Sequence, residues 1–157
     1  MNKKIKILLS VLAGIALCVG VVYLVSNVSP ATDDGQPNSN NSTGPADRVD
    51  VVYFHRTQRC STCIHAEELT RYTVETYFAD ELASDKLTFQ SIDVQDSNNA
   101  AIVNKYGAYA RQLFINAVRD GSDHIEQATD LYPLIFDDEA FVETLKSKIE
   151  KSLTGET

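Results

Sequence analysis

The stretch that decides the fold runs from Val49 to His65 and reads VDVVYFHRTQRCSTCIH. Its first half, Val49 to Phe54, is rich in β-branched and aromatic residues, which is typical of a buried strand. A polar loop follows and leads to Cys60 and Cys63 in the predicted first turn of a helix. Two cysteines in Cys-x-x-Cys spacing at such a junction indicate either dithiol–disulfide chemistry or a metal site.

The N-terminal part of the chain predicts a membrane anchor. Residues 1–6 form a short basic N-terminus, and residues 7–28 are uncharged and almost wholly apolar. At about 1.5 Å per helical residue, the second range is long enough to cross a hydrocarbon core of about 30 Å. Lys3, Lys4 and Lys6 precede it. The positive-inside rule therefore places the N-terminus in the cytoplasm and the rest of the chain on the extracytoplasmic side.

Three alternatives to an uncleaved anchor fit this segment less well. A cleaved signal peptide would have a shorter apolar core and a clear small-x-small cleavage site. A lipoprotein signal would need a small residue before its cysteine, but Leu17 precedes Cys18. A buried core helix would show an amphipathic pattern, and none is visible. We therefore predict a single-pass protein of the cell membrane.

Beyond the anchor, the composition changes twice. Residues 29–47 (SPATDDGQPNSNNSTGPAD) are rich in Pro, Gly, Asn, Ser and Asp, which predicts a flexible linker. Residues 48–157 contain enough apolar side chains for one modest core. The chain has 22 Asp and Glu against 14 Lys and Arg, a formal net charge of −8. Such a charge argues against nucleic acid or anionic lipid as a partner of the domain.

Strand-like and helix-like patterns alternate along this domain. Apolar runs of high β propensity predict strands, and apolar residues at i+4 spacing predict helices. The predicted strands are 49–55, 87–94, 112–119 and 124–129, and the predicted helices are 61–82, 99–106 and 138–153. Gly107 fits a helix C-cap, Asp137 fits a helix N-cap, and Asp120-Gly121 fits a hairpin turn. The order implies parallel βαβ units that are closed by an antiparallel hairpin.

This order, with Cys-x-x-Cys at the first strand-to-helix junction, resembles the thioredoxin fold across the whole domain. We therefore expect an α/β, thioredoxin-like fold, with a central mixed sheet flanked by helices, behind an N-terminal transmembrane helix. Within that class, Tyr53-Phe54-His55 and Arg59-Cys60-Ser61-Thr62-Cys63 resemble the YFH…RCxTC signature of the bacterial nitrophenyl compound nitroreductase subunits. The resemblance implies an electron-donating or accessory subunit, since the sequence shows no flavin- or nucleotide-binding loop.

The sequence departs from thioredoxins in two ways. They carry Trp-Cys-Gly-Pro-Cys, where this chain reads Arg59-Cys60-Ser61-Thr62-Cys63. They also carry a cis-proline just before the third strand, whereas residues 108–112 (AYARQ) contain no proline. The surface beside the cysteines is therefore expected to differ from the usual substrate groove.

In the redox interpretation, Cys60 is the exposed attacking thiol and Cys63 is the resolving thiol, one turn into the helix. The helix N-terminus, Arg59 beside it, and the nearby Arg56 and His55 all favour a thiolate at Cys60. We therefore expect its pKa to lie below the unperturbed value of about 8.5. The predicted catalytic residues are Cys60, Cys63, Arg59 and His55. The redox-active disulfide takes the place of a cofactor, and the predicted partner is a protein thiol or disulfide near the membrane.

Two alternatives remain open from the sequence. His55, Cys60, Cys63 and His65 supply two imidazoles and two thiolates, a set that suits Zn²⁺ or copper. A single Cys-x-x-Cys is only half of a usual zinc site. The other alternative is a redox-inactive accessory subunit that serves only as an interaction domain.

Overall fold

The computed structural model describes residues 44–155. Within this range the elements are β1 (Arg48–His55), α1 (Ser61–Tyr77), α2 (Ala79–Ala83), β2 (Leu87–Asp93), α3 (Ala100–Tyr106), β3 (Gln112–Arg119), β4 (Ser122–Gln127) and α4 (Asp138–Thr154). Two 3₁₀ helices, Ser97–Asn99 and Thr129–Leu134, lie in the connections. The predicted transmembrane helix and most of the predicted linker lie outside the described residues. Among residues 44–155, no helix combines the length and the apolarity needed to cross a membrane.

The four strands form one mixed sheet in the order β2-β1-β3-β4. Strand β2 is parallel to β1, while β3 runs antiparallel to β1 and β4 antiparallel to β3. Strand β1 has neighbours on both sides and helices over both faces, which explains its near-continuous apolar sequence. This sheet, with a βαβ unit at its start and a hairpin at its end, confirms the α/β, thioredoxin-like fold that the sequence predicted.

The two faces of the sheet are covered unequally. Helices α1 and α4 cover the face that includes Val51 and Tyr53, where they form the larger core. The short helix α3 covers the other face, where the rings of Phe54, Tyr106 and Phe114 pack with centroids 5.4 to 5.6 Å apart. Alternate residues of β1 therefore serve two separate cores, as the period-2 geometry of a strand requires.

Two elements differ from the prediction by more than one residue. The predicted helix 61–82 is broken at Phe78, whose backbone leaves the helical region (φ −130°, ψ 32°) while its side chain is buried in the larger core. Strand β4 begins and ends two residues earlier than predicted, at Ser122 and Gln127. Asp120 and Gly121 both have positive φ, at 51° and 73°, and so form a tight two-residue turn that places Ser122 opposite Arg119.

The last residues of the predicted linker pack against the domain. Ala46 is buried, and its N–H donates to the Leu153 carbonyl oxygen at 3.2 Å. The Gly44 carbonyl oxygen accepts from Arg119 Nε at 2.6 Å. Gly155, in a left-handed conformation, passes so close to Gly44 that an added Cβ would overlap its backbone. The packed domain therefore begins before residue 48, and its two ends meet beyond the N-terminal end of β1.

Candidate functional site

The two cysteines lie at the junction between strand β1 and helix α1. Cys60 is the N-cap of α1 and has an extended backbone, while Cys63 lies in the first helical turn. A disulfide joins them, with their Cα atoms 5.1 Å apart. Cys60 is exposed and Cys63 is half-buried. An external thiol therefore reaches Cys60 more easily than Cys63.

The backbone around Cys60 favours negative charge on its sulfur. Cys60 Sγ accepts a hydrogen bond from the Cys63 N–H at 3.2 Å, the position that an N-cap oxygen usually occupies. The first turn of α1 contains no acidic residue that would oppose the charge. After reduction, the same N–H groups and the positive end of the helix would stabilise a thiolate.

The loop before Cys60 is tied to the end of β2. Thr57 donates from Oγ1 to Asp93 Oδ2 at 2.7 Å, and its N–H donates to Gln95 Oε1 at 3.1 Å. The hydrogen bond from Thr57, followed by that from the Gln95 N–H, holds the pKa of the Asp93 carboxyl below its usual value. At neutral pH, the ionised Asp93 carboxylate therefore holds in place the loop that leads from β1 to Cys60.

Tyr53 connects the sheet to the disulfide helix. Its side chain is buried, and its hydroxyl donates to the Cys63 carbonyl oxygen at 2.7 Å. Burial raises the pKa of the Tyr53 phenol to about 12, although the guanidinium groups of Arg111 and Arg59 act in the opposite direction. Tyr53 is therefore a neutral donor throughout the physiological pH range.

Arg59, which precedes Cys60 in the sequence, is paired with a carboxylate on α1. Its guanidinium Nη2 donates to Glu67 Oε2, and Arg71 Nη2 contacts the other oxygen, Oε1, at 3.2 Å. Glu67 lies on α1 four residues after Cys63 and is 9% exposed. Burial alone would raise the pKa of Glu67, but hydrogen bonds from Ser91, Arg59 and Arg71 outweigh it and lower the pKa. The charge of Arg59 is therefore balanced by an ionised carboxylate.

The two candidate histidines point to different places. The Nδ1 atom of His55 lies 3.0 Å from the Arg56 carbonyl oxygen, so this ring caps the end of β1. The Nε2 atom of His65 lies 2.9 Å from Asp138 Oδ1, at the start of α4. Within residues 44–155, no three His, Cys, Asp or Glu side chains are grouped as a metal site requires. The described structure therefore does not assemble the four residues of the metal alternative into one site.

Gln112 organises the loop where thioredoxins place their cis-proline. Its buried Oε1 accepts from the Tyr109 N–H at 2.9 Å and from the Ala110 N–H at 3.3 Å. The described residues contain no cis peptide bond. Gln112 pairs with Phe54 in the sheet, so this loop lies at the same end of the strands as the cysteines. A side-chain amide thus fixes a loop that a proline would otherwise constrain.

Three exposed apolar side chains belong to segments at this end of the sheet. Ile64 follows Cys63 directly, Tyr109 lies in the loop before β3, and Phe136 lies between β4 and α4. Their exposed fractions are 41%, 72% and 86%. Large exposed apolar groups near a reactive pair are typical of a surface that contacts another macromolecule.

The role of three residues of this site was not predicted from the sequence. Glu67 carried a signal, because the i, i+4 spacing from Cys63 puts it on the same side of the helix. Tyr53 also carried such a signal, because it is the residue with a polar group in the apolar run from Val51 to Phe54. Gln112 had no local signal, since its role depends on which loop folds over it.

The comparisons with known proteins concern the fold alone. No family model matches the chain, and no curated protein matches it. A thioredoxin from Thermus thermophilus is similar at 13% identity and a TM-score of 0.43, over 67% of this chain and 76% of that one. Thioredoxin O2 from Arabidopsis thaliana, in its oxidized state, is similar at 16% identity and a TM-score of 0.43, over 69% and 77%.

An uncharacterized thioredoxin-like protein from Clostridium perfringens is similar at 10% identity and a TM-score of 0.43, over 79% of this chain and 95% of that one. Such similarities carry no information on activity. The fold class rests on the sheet order and the connections described above. The resemblance to the nitrophenyl compound nitroreductase subunits stays a prediction.

Proposed function

We propose that the chain is a thiol–disulfide oxidoreductase that exchanges its Cys60–Cys63 disulfide with the thiols of a protein partner. One observation carries the proposal: the paired cysteines lie at a helix N-terminus, with the first exposed and the second half-buried. A disulfide across two intervening residues closes a very small loop and constrains little of the unfolded chain. Reversible chemistry accounts for the pair better than stability does.

In the reducing direction, the Cys60 thiolate attacks one sulfur of a partner disulfide. The new bond between Cys60 and the partner forms as the partner's own S–S bond breaks, and the second partner sulfur leaves as a thiolate that takes up a proton. Cys63 then loses its proton and attacks Cys60 Sγ, which releases the first partner sulfur as a thiol. Two electrons and two protons thus pass to the partner, and the reverse sequence oxidises it.

Two features support a protein partner rather than a small thiol. The exposed side chains of Ile64, Tyr109 and Phe136 offer apolar contacts on the segments at the cysteine end of the sheet. The ordered loop before β3 adds a fixed surface next to them. We place this partner near the cell membrane on the extracytoplasmic side, because the sequence pattern of residues 1–28 predicts an anchor.

We also propose the finer assignment to the nitrophenyl compound nitroreductase subunits, as a donor of electrons or an accessory chain. The sequences Tyr53-Phe54-His55 and Arg59-Cys60-Ser61-Thr62-Cys63 support it. A dithiol supplies electrons but has no group that reduces a nitro compound unaided, so the catalytic partner would carry that chemistry.

Trapping of a mixed disulfide tests the mechanism. In Cys63→Ser, the second attack cannot occur, so Cys60 should remain covalently bound to its partner in cells that produce the full-length chain. Cys60→Ser is the matched control and should trap far less. A Cys63→Ser chain that forms no adduct sensitive to reductant would refute the proposed exchange.

An equilibrium redox titration of the full-length chain tests the dithiol itself. Thiol trapping in glutathione or dithiothreitol buffers should show one reversible two-electron transition, and Cys60→Ser should abolish it. If the two thiols of the wild-type chain never formed a disulfide, or became available for trapping only after a chelator was added, the redox proposal would fail.

A further inference from the structure

Glu67, four residues after Cys63 on α1, is held between two arginines. Its Oε2 accepts from Arg59 and its Oε1 from Arg71, so each oxygen has a separate cationic partner. A side-chain hydrogen bond from Ser91 on β2 also lowers the pKa of this carboxylate. Side chains from the loop, from α1 and from β2 thus hold this one carboxylate.

The arrangement commits Arg59 to Glu67 rather than to the cysteines. The Arg59 side chain is only 24% exposed, and its Nε is buried with no hydrogen-bond partner among residues 44–155. Arg71 is shared with Glu75, whose Oε1 lies 3.6 Å from Arg71 Nη1. Two cations and two anions therefore balance each other, although Arg59 is the residue next to Cys60 in the sequence.

We propose that Glu67 is a positioning residue that sets the reduction potential of the Cys60–Cys63 pair by binding Arg59 and offsetting its charge. This inference rests on the proposed dithiol function. An unpaired Arg59 would stabilise the Cys60 thiolate, and a stabilised thiolate makes the pair a stronger oxidant. The helix N-terminus and an unpaired Arg59 would together make the cysteine pair a stronger oxidant. By pairing with Arg59, Glu67 keeps the reduction potential of the pair lower.

The lowered pKa of Glu67 agrees with this role, because the carboxylate is ionised whenever the thiol titrates near neutral pH. If Arg59, released from Glu67, comes within about 10 Å of the Cys60 thiolate, its unit charge changes the proton equilibrium of the thiol by roughly threefold. In Glu67→Gln, the midpoint of the pH dependence of Cys60 alkylation should therefore fall by about half a pH unit. Above that midpoint, the reduction potential should rise by about 15 mV, at 29.6 mV per tenfold.

The experiment compares four full-length variants with the wild-type chain, by iodoacetamide alkylation against pH and by redox titration. Glu68→Gln is the matched control, since it removes the same charge from the exposed neighbouring position. The other variants are Glu67→Gln, Arg59→Gln and the double variant. If Glu67 acts through Arg59, its substitution should shift the midpoint clearly less in the Arg59→Gln background.

Three outcomes would overturn the proposal. The first is a Glu67→Gln midpoint equal to that of Glu68→Gln, and the second is a midpoint that rises. The third is an equal effect of Glu67→Gln in both backgrounds, which would mean that the carboxylate acts on the thiol directly. A wild-type chain without any two-electron transition would instead refute the underlying dithiol function, so the two failures are distinguishable.

Discussion

Removal of the Tyr53 hydroxyl measures how strongly the sheet holds the disulfide helix. In the structure this hydroxyl donates to the Cys63 carbonyl oxygen at 2.7 Å, and the residue is 2% exposed. Tyr53→Phe deletes one oxygen and keeps the ring, so it opens no large cavity. The loss is that of one buried hydrogen bond, which contributes about 0.5 to 1.5 kcal/mol. We expect the free energy of unfolding to fall by about 1 kcal/mol.

Urea unfolding of the oxidised full-length chain, followed by far-ultraviolet circular dichroism, measures this change. With a slope m of roughly 2 kcal/mol per molar urea, the midpoint should fall by about 0.5 M at unchanged m. Tyr72→Phe is the matched control, because it removes the same hydroxyl from a residue that is 53% exposed. Its effect should stay within about 0.5 kcal/mol.

Two results would refute this reasoning. Equal midpoints for Tyr53→Phe and Tyr72→Phe would show that the hydrogen bond contributes nothing to stability. A loss above about 3 kcal/mol would exceed the contribution of one neutral hydrogen bond and would indicate that the substitution disturbs the packing of the core.

Two further predictions concern other buried polar groups. Burial, followed by the charge of Asp50, raises the pKa of Tyr106 to about 12, above the value of about 10 in an unfolded chain. Between pH 10 and 12 the unfolded chain therefore binds fewer protons than the folded one, and the unfolding free energy should fall with rising pH. Urea midpoints measured at pH 9.5 and 11.5 should fall less in Tyr106→Phe; an equal fall would contradict the assignment. In Gln112→Ala, the loop N–H groups of Tyr109 and Ala110 lose their acceptor, which should cost about 1 to 3 kcal/mol in the same assay. The exposed Gln90→Ala is its control, and matching midpoints would contradict the loop-fixing role.

The element order could be predicted because each signal is local. The apolar run of β1, the glycine at the end of α3 and the Asp120-Gly121 turn all act within a few residues. The break in the helix at Phe78 could not be predicted, because the helical sequence pattern continues through this residue. The break depends on the packing of the Phe78 side chain in the larger core. The contact of Ala46 with Leu153 likewise joins residues far apart in sequence.

In the candidate site too, some features could be predicted from the sequence and others depend on the fold. The spacing of Cys60 and Cys63 and their position at a helix start were readable from the sequence. The partner of Arg59 could not be predicted, because several carboxylates follow it in the sequence. Which of them it contacts, Glu67, depends on the fold. His65 looked like a metal ligand by spacing, but the packing of α4 against α1 offers it Asp138 instead. Charges were therefore predictable, and their pairing was not.

The close approach of Gly44 and Gly155 indicates where a label can be attached without affecting the disulfide. Both lie beyond the N-terminal end of β1, whereas Cys60 follows its C-terminal end. Eight strand residues at about 3.3 Å each separate these two ends by roughly 26 Å. A biotin tag or a fluorescent label attached after Gly155 is therefore remote from the disulfide. Such a domain, immobilised on a sensor chip, would turn Cys60 toward the flowing solution, where partner capture could be followed directly.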